Sequence, residues 1–284
     1  MSNKEGKLYV VATPIGNLAD ISFRALETLK QVDCIAAEDT RHVRMLLQHY
    51  GITNKLLALH QHNEEHAAKS LLTQLQQGQE IALVSDAGTP LVSDPGMPLV
   101  KLVKAAGISV IPIPGACALI AALSAAGMPL NRFEFEGFLA RTSSARRTFF
   151  QQKVDCESTW AFYEASHRIL ATLEDMAAIL PLEREIVIAR ELTKLHETII
   201  KTPLQEALRR VSEEENMRKG EFVVIVAGAP PAPINQDLSP EHLRVLQLLL
   251  NECSMKTAVS LAVEITGARK KILYQTALKL TNAA

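Results

Sequence analysis

Cysteine, aromatic residues and net charge are all scarce in this 284-residue chain. Cys34, Cys117, Cys156 and Cys253 each lie more than thirty residues from the next. That spacing excludes paired metal-ligand motifs and a compact disulfide framework, so no metal is expected and a reducing compartment is. One tryptophan and four tyrosines leave few rings for stacking on bases, so nucleic-acid recognition would rest on arginine and ribose contacts. A formal net charge of −1 gives no global attraction for phosphate backbones or anionic membranes. Long apolar runs are missing too: the longest small-apolar run, Ala116–Leu123, is far below the ~20 residues that span a bilayer. The polar segment Met1–Lys7 has no signal-peptide layout. A cytoplasmic protein with no membrane span is expected. No loop carries the glycines of a dinucleotide fingerprint or a phosphate-binding P-loop, which excludes both.

What is present is a 48% apolar, 21% charged composition, typical of soluble globular proteins and enough for a sizeable core. At about 150 residues per domain, the length suggests two domains. The first half alternates short β-branched runs with helical patterns, the signature of a parallel α/β sheet. Strands are expected at Leu8–Thr13, Cys34–Ala37, Leu56–Leu59, Ile81–Ser85 and Ser109–Ile113. Helices are expected at Asp20–Val32, Thr40–Tyr50, Glu64–Gln77, up to Gly107, and over Gly115–Ala126. The pattern changes near Gly127–Met128–Pro129. Beyond it, strands at Phe133–Phe138, Thr159–Tyr163, Glu185–Arg190, Glu197–Lys201 and Phe222–Ala227 point to a mixed sheet, because two of them follow each other after a very short gap. The proline-rich segment 229–240 reads as a linker. After it come three helices, Glu241–Leu250, Met255–Ile265 and Ala268–Leu280. From Ser239 onward six Lys/Arg stand against three Asp/Glu, a net of +3 that leaves −4 for the rest.

Five constellations carry candidate chemistry. Val11–Asn17 follows the first strand, where α/β sheets bind ligands, although it also reads as a Pro-Gly turn. Ser85–Gly96 contains Ser-Asp-x-Gly-x-Pro twice, from Ser85 and from Ser93, and its glycines admit a ligand close to the main chain. Tandem Asp-capped turns would have the same composition. Ile113–Ala118 opens a helix of small residues, suited either to a ligand at the helix start or to tight packing on a sheet. Glu38–Arg41 and His60–Glu64 follow the second and third strands and bring carboxylate, imidazole and guanidinium to the same rim, where they could deprotonate and orient a hydroxyl; Asp39 and Asn63 also suit helix capping. Arg141, Arg146, Arg147 and Lys153, extended by Arg168 and Lys194, form a basic stretch suited to phosphate contacts or to an ordinary solvated helix face.

The segments VATPIGNLADIS, AAEDTRHVRMLL, ALVSDAGTPLVSDPG, IPGACALIAALSAAG, FYEASHR, ARELTKLHE and KGEFVVIVAG, in this order from Val11 to Gly228, closely resemble the small-subunit ribosomal RNA methyltransferases of the tetrapyrrole methylase-like class. The chain departs from the family's wording at Ala140, where proline is common, and at Ala116–Cys117, where proline and serine are. The resemblance implies a two-domain tetrapyrrole methylase-like fold, 1–127 and 128–228, with the linker 229–240 and a helical extension 241–284. It implies S-adenosylmethionine as cofactor, 16S rRNA in the small ribosomal subunit as substrate, methylation of a cytidine ribose 2′-oxygen in the decoding region, and a homodimer. By position, the cofactor would be held by Pro14, Ile15, Gly16, Asp86, Ala87, Gly88, Thr89, Pro90, Val92, Pro114, Gly115, Cys117 and Ala118. Tyr163, Glu164, Glu191 and Leu192 would close over it. Asp39 is nominated as the base ahead of His60, with Arg41 and Asn63 orienting the ribose and Glu64 completing the substrate-facing segment. Arg141, Arg146, Arg147, Lys153 and Arg168 would bind RNA. Two other readings stay open: a methylase of small tetrapyrroles, and a non-enzymatic ligand sensor whose last helices bind DNA as a helix-turn-helix.

Overall fold

A computed structural model describes residues 6–230 and 238–282. The chain divides into two compact units, Met1–Gly228 and Ala229–Ala284. In the first unit, β1 (Lys7–Val11), β2 (Cys34–Ala37), β3 (Leu56–Ala58), β4 (Glu80–Val84) and β5 (Ser109–Ile113) form an all-parallel sheet in the order β3-β2-β4-β1-β5. Side chains alternate across it. Val11, Ile35, Ala37, Ala82 and Val84 meet helices α1 (Phe23–Gln31) and α2 (Thr40–His49) on one face. Leu8, Cys34, Ala36, Ile81 and Leu83 meet α3 (Glu64–Gln76) and α4 (Met97–Ala105) on the other. Adjacent strands β1 and β4 thus send their following helices to opposite faces. A crevice opens between the loops at their carboxyl ends, the usual ligand position in such sheets.

The helix expected at Asp20–Val32 begins later. Leu18–Asp20 is a single 3-10 turn capped by Asn17, and α1 starts after Ser22, whose hydroxyl accepts the Ala25 N–H at 3.1 Å. A serine side chain here satisfies a helix-end donor and fixes the start.

The second sheet contains β6 (Phe133–Phe138), β7 (Thr159–Ala165), β8 (Glu185–Arg190), β9 (Thr198–Pro203) and β10 (Glu221–Val226), in the order β6-β7-β10-β8-β9. Only β6 and β7 run parallel, so the sheet is mixed. One face carries α6 (Ser143–Lys153), α7 (Ile169–Ala177) and α8 (Leu204–Glu213) over Trp160, Phe162, Ile188 and Val224. The other face receives α5 (Ala118–Ala125), whose Leu119, Ala122 and Leu123 pack on Ala161, Val187, Ala189, Val223 and Ile225. Small side chains on both surfaces let helix and sheet approach closely. Because α5 follows β5 directly, it ties the two sheets into one body.

The second unit contains α9 (Pro240–Glu252), α10 (Met255–Thr266) and α11 (Lys270–Asn282) around Leu246, Val259, Ala262, Leu273 and Ala277. Ser239 and Ser254 cap the starts of α9 and α10, and Gly267 ends α10 in the left-handed conformation at φ +68°. Most of the expected linker lies outside the described residues. Among those described, no helix is long and apolar enough to cross a membrane.

Fully buried Ala122 leaves no room for a larger side chain between α5 and the second sheet. Ala122→Leu is expected to lower the unfolding free energy by about 1–3 kcal/mol in urea titration. The same change at exposed Ala125 is expected to shift it by less than about 0.5 kcal/mol.

Candidate active site

Two loops build the crevice. Just past β1, Thr13 exchanges both backbone hydrogen bonds with Gly88 in the loop after β4, at 2.9 and 3.0 Å. The β4 loop, residues 85–96, is fixed at three further points. Asp86 Oδ1 accepts the Asp39 N–H at 2.8 Å, the Thr89 hydroxyl donates to the Ala116 carbonyl at 3.0 Å, and Glu64 Oε2 accepts the Gly96 N–H at 3.0 Å. A loop tied to the β1 loop, α2, α3 and the start of α5 is rigid.

Between this loop and the second sheet lies a cavity of about 380 Å³, within the range of small-ligand sites. Ile15, Ala87, Gly88, Thr89 and Val92 form one wall, Cys117 and Ala118 the start of α5, and Tyr163, Leu192 and Val223 the opposite wall. A second cavity of about 550 Å³ shares Ile15, Asp86, Ala87, Lys194 and Glu221 with it and is lined further by Pro14, Gly16, His42 and Met45. The segment dividing them is tightly packed: a Cβ on Gly16 would lie 2.5 Å from Lys194 Cγ and 2.9 Å from Thr193 Oγ1. Glycine lets the β1 loop touch the loop after β8.

Backbone strain gathers at the same place. Among the described residues, the non-glycine positions with positive φ are Leu91 (+75°), Ser93 (+71°), Glu191 (+52°) and Thr193 (+65°). All belong to the two loops that face each other across the cavity. Each costs roughly 1–3 kcal/mol, and such residues persist where the surroundings impose them, as at ligand sites.

The electrostatics are equally uneven. Glu38, Asp86 and Asp94 all line the first cavity. Burial pushes the Asp94 carboxyl up to about 6, with a smaller push from Asp86 and a partial offset from the Ser85 hydroxyl. Burial and the charges of Asp86 and Asp94 also raise Glu38. Across the cavity, burial raises the Tyr163 phenol, whose oxygen accepts the Leu119 N–H at 3.2 Å. A low-dielectric pocket with two carboxylates in unfavourable surroundings favours a compact organic cation.

Comparison with known proteins gives the family and the fold. The model of the family "Tetrapyrrole (Corrin/Porphyrin) Methylases" matches residues 7–208, and that of the "RsmI C-terminal HTH domain" matches residues 236–281. A ribosomal RNA small subunit methyltransferase I from Escherichia coli O157:H7 is 54% identical over 277 residues, 98% of this chain and 96% of the relative. The namesake from Pseudomonas aeruginosa is 52% identical, covering 96% and 97%. The chain belongs to this methyltransferase family, on the tetrapyrrole methylase fold. Solved structures show the same fold at low identity. Cobalt precorrin-4 methyltransferase aligns with a TM-score of 0.57 at 18% identity, over 78% of this chain and 94% of that one. Uroporphyrin-III C-methyltransferase from Thermus thermophilus, solved with S-adenosyl homocysteine, gives 0.52 at 16%, over 78% and 97%.

Within the family frame, the residues expected at the cofactor divide. Ile15, Asp86, Ala87, Gly88, Thr89, Val92, Cys117, Ala118, Tyr163, Glu164 and Leu192 line the first cavity, and Pro14 and Gly16 the second. Pro90 is buried beneath the loop, and Pro114 and Gly115 are exposed outside both walls. Glu164 and Glu191 hold structure. Glu164 takes the Thr172 hydroxyl at 2.7 Å and the Ala165 N–H at 2.9 Å and forms an ion pair with Arg168 at 3.2 Å, while Glu191 takes Lys194 Nζ at 2.9 Å and the Glu221 N–H at 3.0 Å.

The expected catalytic residues stand elsewhere. Asp39 caps α2, accepting the Arg41 N–H at 2.8 Å and the Arg41 guanidinium at 2.7 and 3.1 Å. Those bonds hold its carboxyl well below the usual range, which makes it a poor proton acceptor. Asn63 closes its own turn, accepting the His60 N–H at 2.8 Å and donating to the Ala58 carbonyl at 3.1 Å. Glu64 anchors the β4 loop. His60 has a buried Nδ1 with no hydrogen-bond partner among the described residues. None of Asp39, Arg41, His60, Asn63 or Glu64 lines either cavity. Glu38, Asp94 and half-exposed Phe138 do line the first; the sequence reading placed Glu38 and Asp94 in rim segments without giving either a role of its own, and gave Phe138 none. Their signal was position alone, next to or within segments already singled out.

The basic stretch also changes. Arg146 is 5% exposed and donates to Asp175 at 2.6 and 2.9 Å. Burial would raise Asp175, but hydrogen bonds from Ser143, Arg147 and Arg146 outweigh it and hold the carboxyl low. Lys153 pairs with Glu134 and Glu136, each at 2.5 Å, and Arg168 binds Glu164 and the Leu139 and Ala140 carbonyls. Only Arg141 and Arg147 remain exposed. Breaking a buried pair strands its partner, so Arg146→Ala is expected to cost about 3–5 kcal/mol of stability in urea titration. Arg141→Ala should cost less than about 0.5 kcal/mol.

Proposed function

We propose that the protein transfers a methyl group from S-adenosylmethionine to the ribose 2′-oxygen of a cytidine in the decoding region of 16S rRNA. The observation that carries this reading is the cavity: a rigid pocket at the switch point of the first sheet, apolar on both walls and with carboxylates held against burial. Full-length relatives named ribosomal RNA small subunit methyltransferase I support the substrate class. A neighbour of the same fold solved with the demethylated cofactor supports the donor.

The pocket's residues fit this donor. Ala87, Gly88 and Ala118 leave backbone accessible, Val92, Leu192 and Val223 offer apolar contact, and Glu38, Asp86 and Asp94 balance a positive charge. When bound, the donor supplies a methyl already activated by its sulfonium. The chain's part is then to hold the acceptor oxygen in line and exclude water. Arg141 and Arg147, both exposed, are the proposed phosphate contacts. The reading also includes lobes 1–127 and 128–228, the linker 229–240, the extension 241–284 and a cytoplasmic location, all read from the sequence pattern, and a homodimer, which the family resemblance implies.

Incubation with labelled donor and unmethylated small subunits, followed by nucleoside analysis, is expected to yield a ribose-methylated cytidine. A methylated base or an unlabelled subunit would refute the reading. Ala118→Phe should abolish donor uptake in calorimetry by filling the cavity. Arg141→Ala with Arg147→Ala should weaken subunit binding and reduce its log–log salt slope by about 1–2.

A further inference from the structure

An RNA acceptor must lie where its ribose reaches the donor, and the second cavity meets that condition. It shares Ile15, Asp86 and Ala87 with the first cavity, so a nucleotide held in it stands next to the donor. Its volume of about 550 Å³ is in the range of small-ligand sites. Two apolar side chains on its lining face solvent: Leu18 is 40% and Met45 61% exposed. Exposed apolar groups at the edge of a cavity suit a flat base turned out of its stack. Exposed His42 lies on the same lining and adds a ring that can donate or accept a hydrogen bond at the base edge.

Helix α2 supplies both Met45 and His42, and its charge is one-sided. Its sequence, TRHVRMLLQH, carries two arginines and no acid. Val43, Leu46 and Leu47 are buried, which turns Arg41, Arg44, Met45 and Gln48 outward as one stripe at helical spacing. From Arg41 to Gln48 the stripe runs ~10 Å, the axial length of about three stacked nucleotides. The Arg41 guanidinium is taken by Asp39. Arg44 is exposed, with no hydrogen-bond or ion-pair partner among the described residues. Exposed arginines on other helices differ: Arg209 on α8 pairs with Glu206 at 2.8 Å and Arg244 on α9 with Glu241 at 3.7 Å. Sign therefore changes across the crevice. Glu38, Asp86 and Asp94 favour a cation inside the first cavity, while the bare face of α2 favours an anionic strand on the outside.

We propose that the outer face of α2 is the docking surface for the acceptor strand, with Arg44 on a phosphate and with Met45 and His42 against the base turned into the second cavity. The proposal rests on the reading that the acceptor is RNA. Arg44 acts by neutralising a phosphate and releasing its counterions, which gives affinity without sequence preference. Met45 and His42 act on the base and so fix which nucleotide presents its ribose to the donor.

The test measures binding of unmethylated small subunits over a salt series, with methyl-transfer kinetics and donor calorimetry alongside. Arg44→Glu is expected to raise the KM for subunits about tenfold or more, and Arg44→Ala to lower the log–log salt slope by about 1. Arg44→Lys should keep the slope, because a point charge still neutralises a phosphate. In all three, kcat and donor affinity should stay within about threefold of the parent, and Tm within about 2 °C. Met45→Ala and His42→Ala should each lower kcat/KM for subunits about fivefold or more with the salt slope unchanged. Lys101→Glu reverses an exposed charge on α4 and should leave the KM within about twofold. A normal KM in Arg44→Glu, a loss of affinity at unchanged slope in Arg44→Ala, an equal loss in Lys101→Glu, or an effect confined to donor affinity overturns the docking surface. If the parent neither binds nor methylates the subunits, the functional reading falls and the docking surface with it; a methylating parent with an unaffected Arg44→Glu overturns the docking surface alone.

Discussion

Two backbone hydrogen bonds between Thr13 and Gly88 hold the site together. Each contributes only about 1 kcal/mol to stability, yet they join the loops of adjacent strands whose helices depart to opposite faces. The β1 loop is thereby pressed against the loop after β8, and the β4 loop is stretched along the crevice with its carboxylates facing inward. Strain at Leu91, Ser93, Glu191 and Thr193 is sustained by this bracing. Helix α5 serves the same end, because its small side chains clamp the second sheet close enough to become the far wall.

Charge is distributed by a simple rule. Where a charged group supports the fold it is paired: Arg146 with Asp175, Lys153 with Glu134 and Glu136, Arg168 with Glu164, Lys194 with Glu191 and Glu221. Where a carboxylate faces the cavity at Glu38 and Asp94, no cationic partner among the described residues offsets its burial. Such groups oppose folding, and in this chain they suit a site shaped for a positively charged donor.

Much of the architecture was legible from side-chain order. The apolar runs at Cys34–Ala37 and Ile81–Val84 mark strands covered on both faces, and the short gap before Glu197 marks the antiparallel pair that makes the second sheet mixed. The rim loops were legible because they follow strands and carry glycine and proline. What stayed hidden depends on contacts across long stretches of chain. Asp86 and Asp94 share the same local wording, but only Asp86 meets a backbone N–H, from a residue 47 positions away. Arg146 reads as a surface cation until Asp175, 29 residues on, arrives from α7. Asp39 reads equally well as a base or a cap, and only the placement of Arg41 decides.

Glu64 reaches from the first turn of α3 to the Gly96 amide, two residues past Asp94. That single bond makes the segment 60–64 a lever on the loop, since displacing the Glu64 side chain would free one end of the strained stretch Leu91–Gly96. The surface beside β3 and the floor of the pocket are therefore mechanically linked, and whatever settles on the outer turn can be felt at the inner carboxylate without touching it.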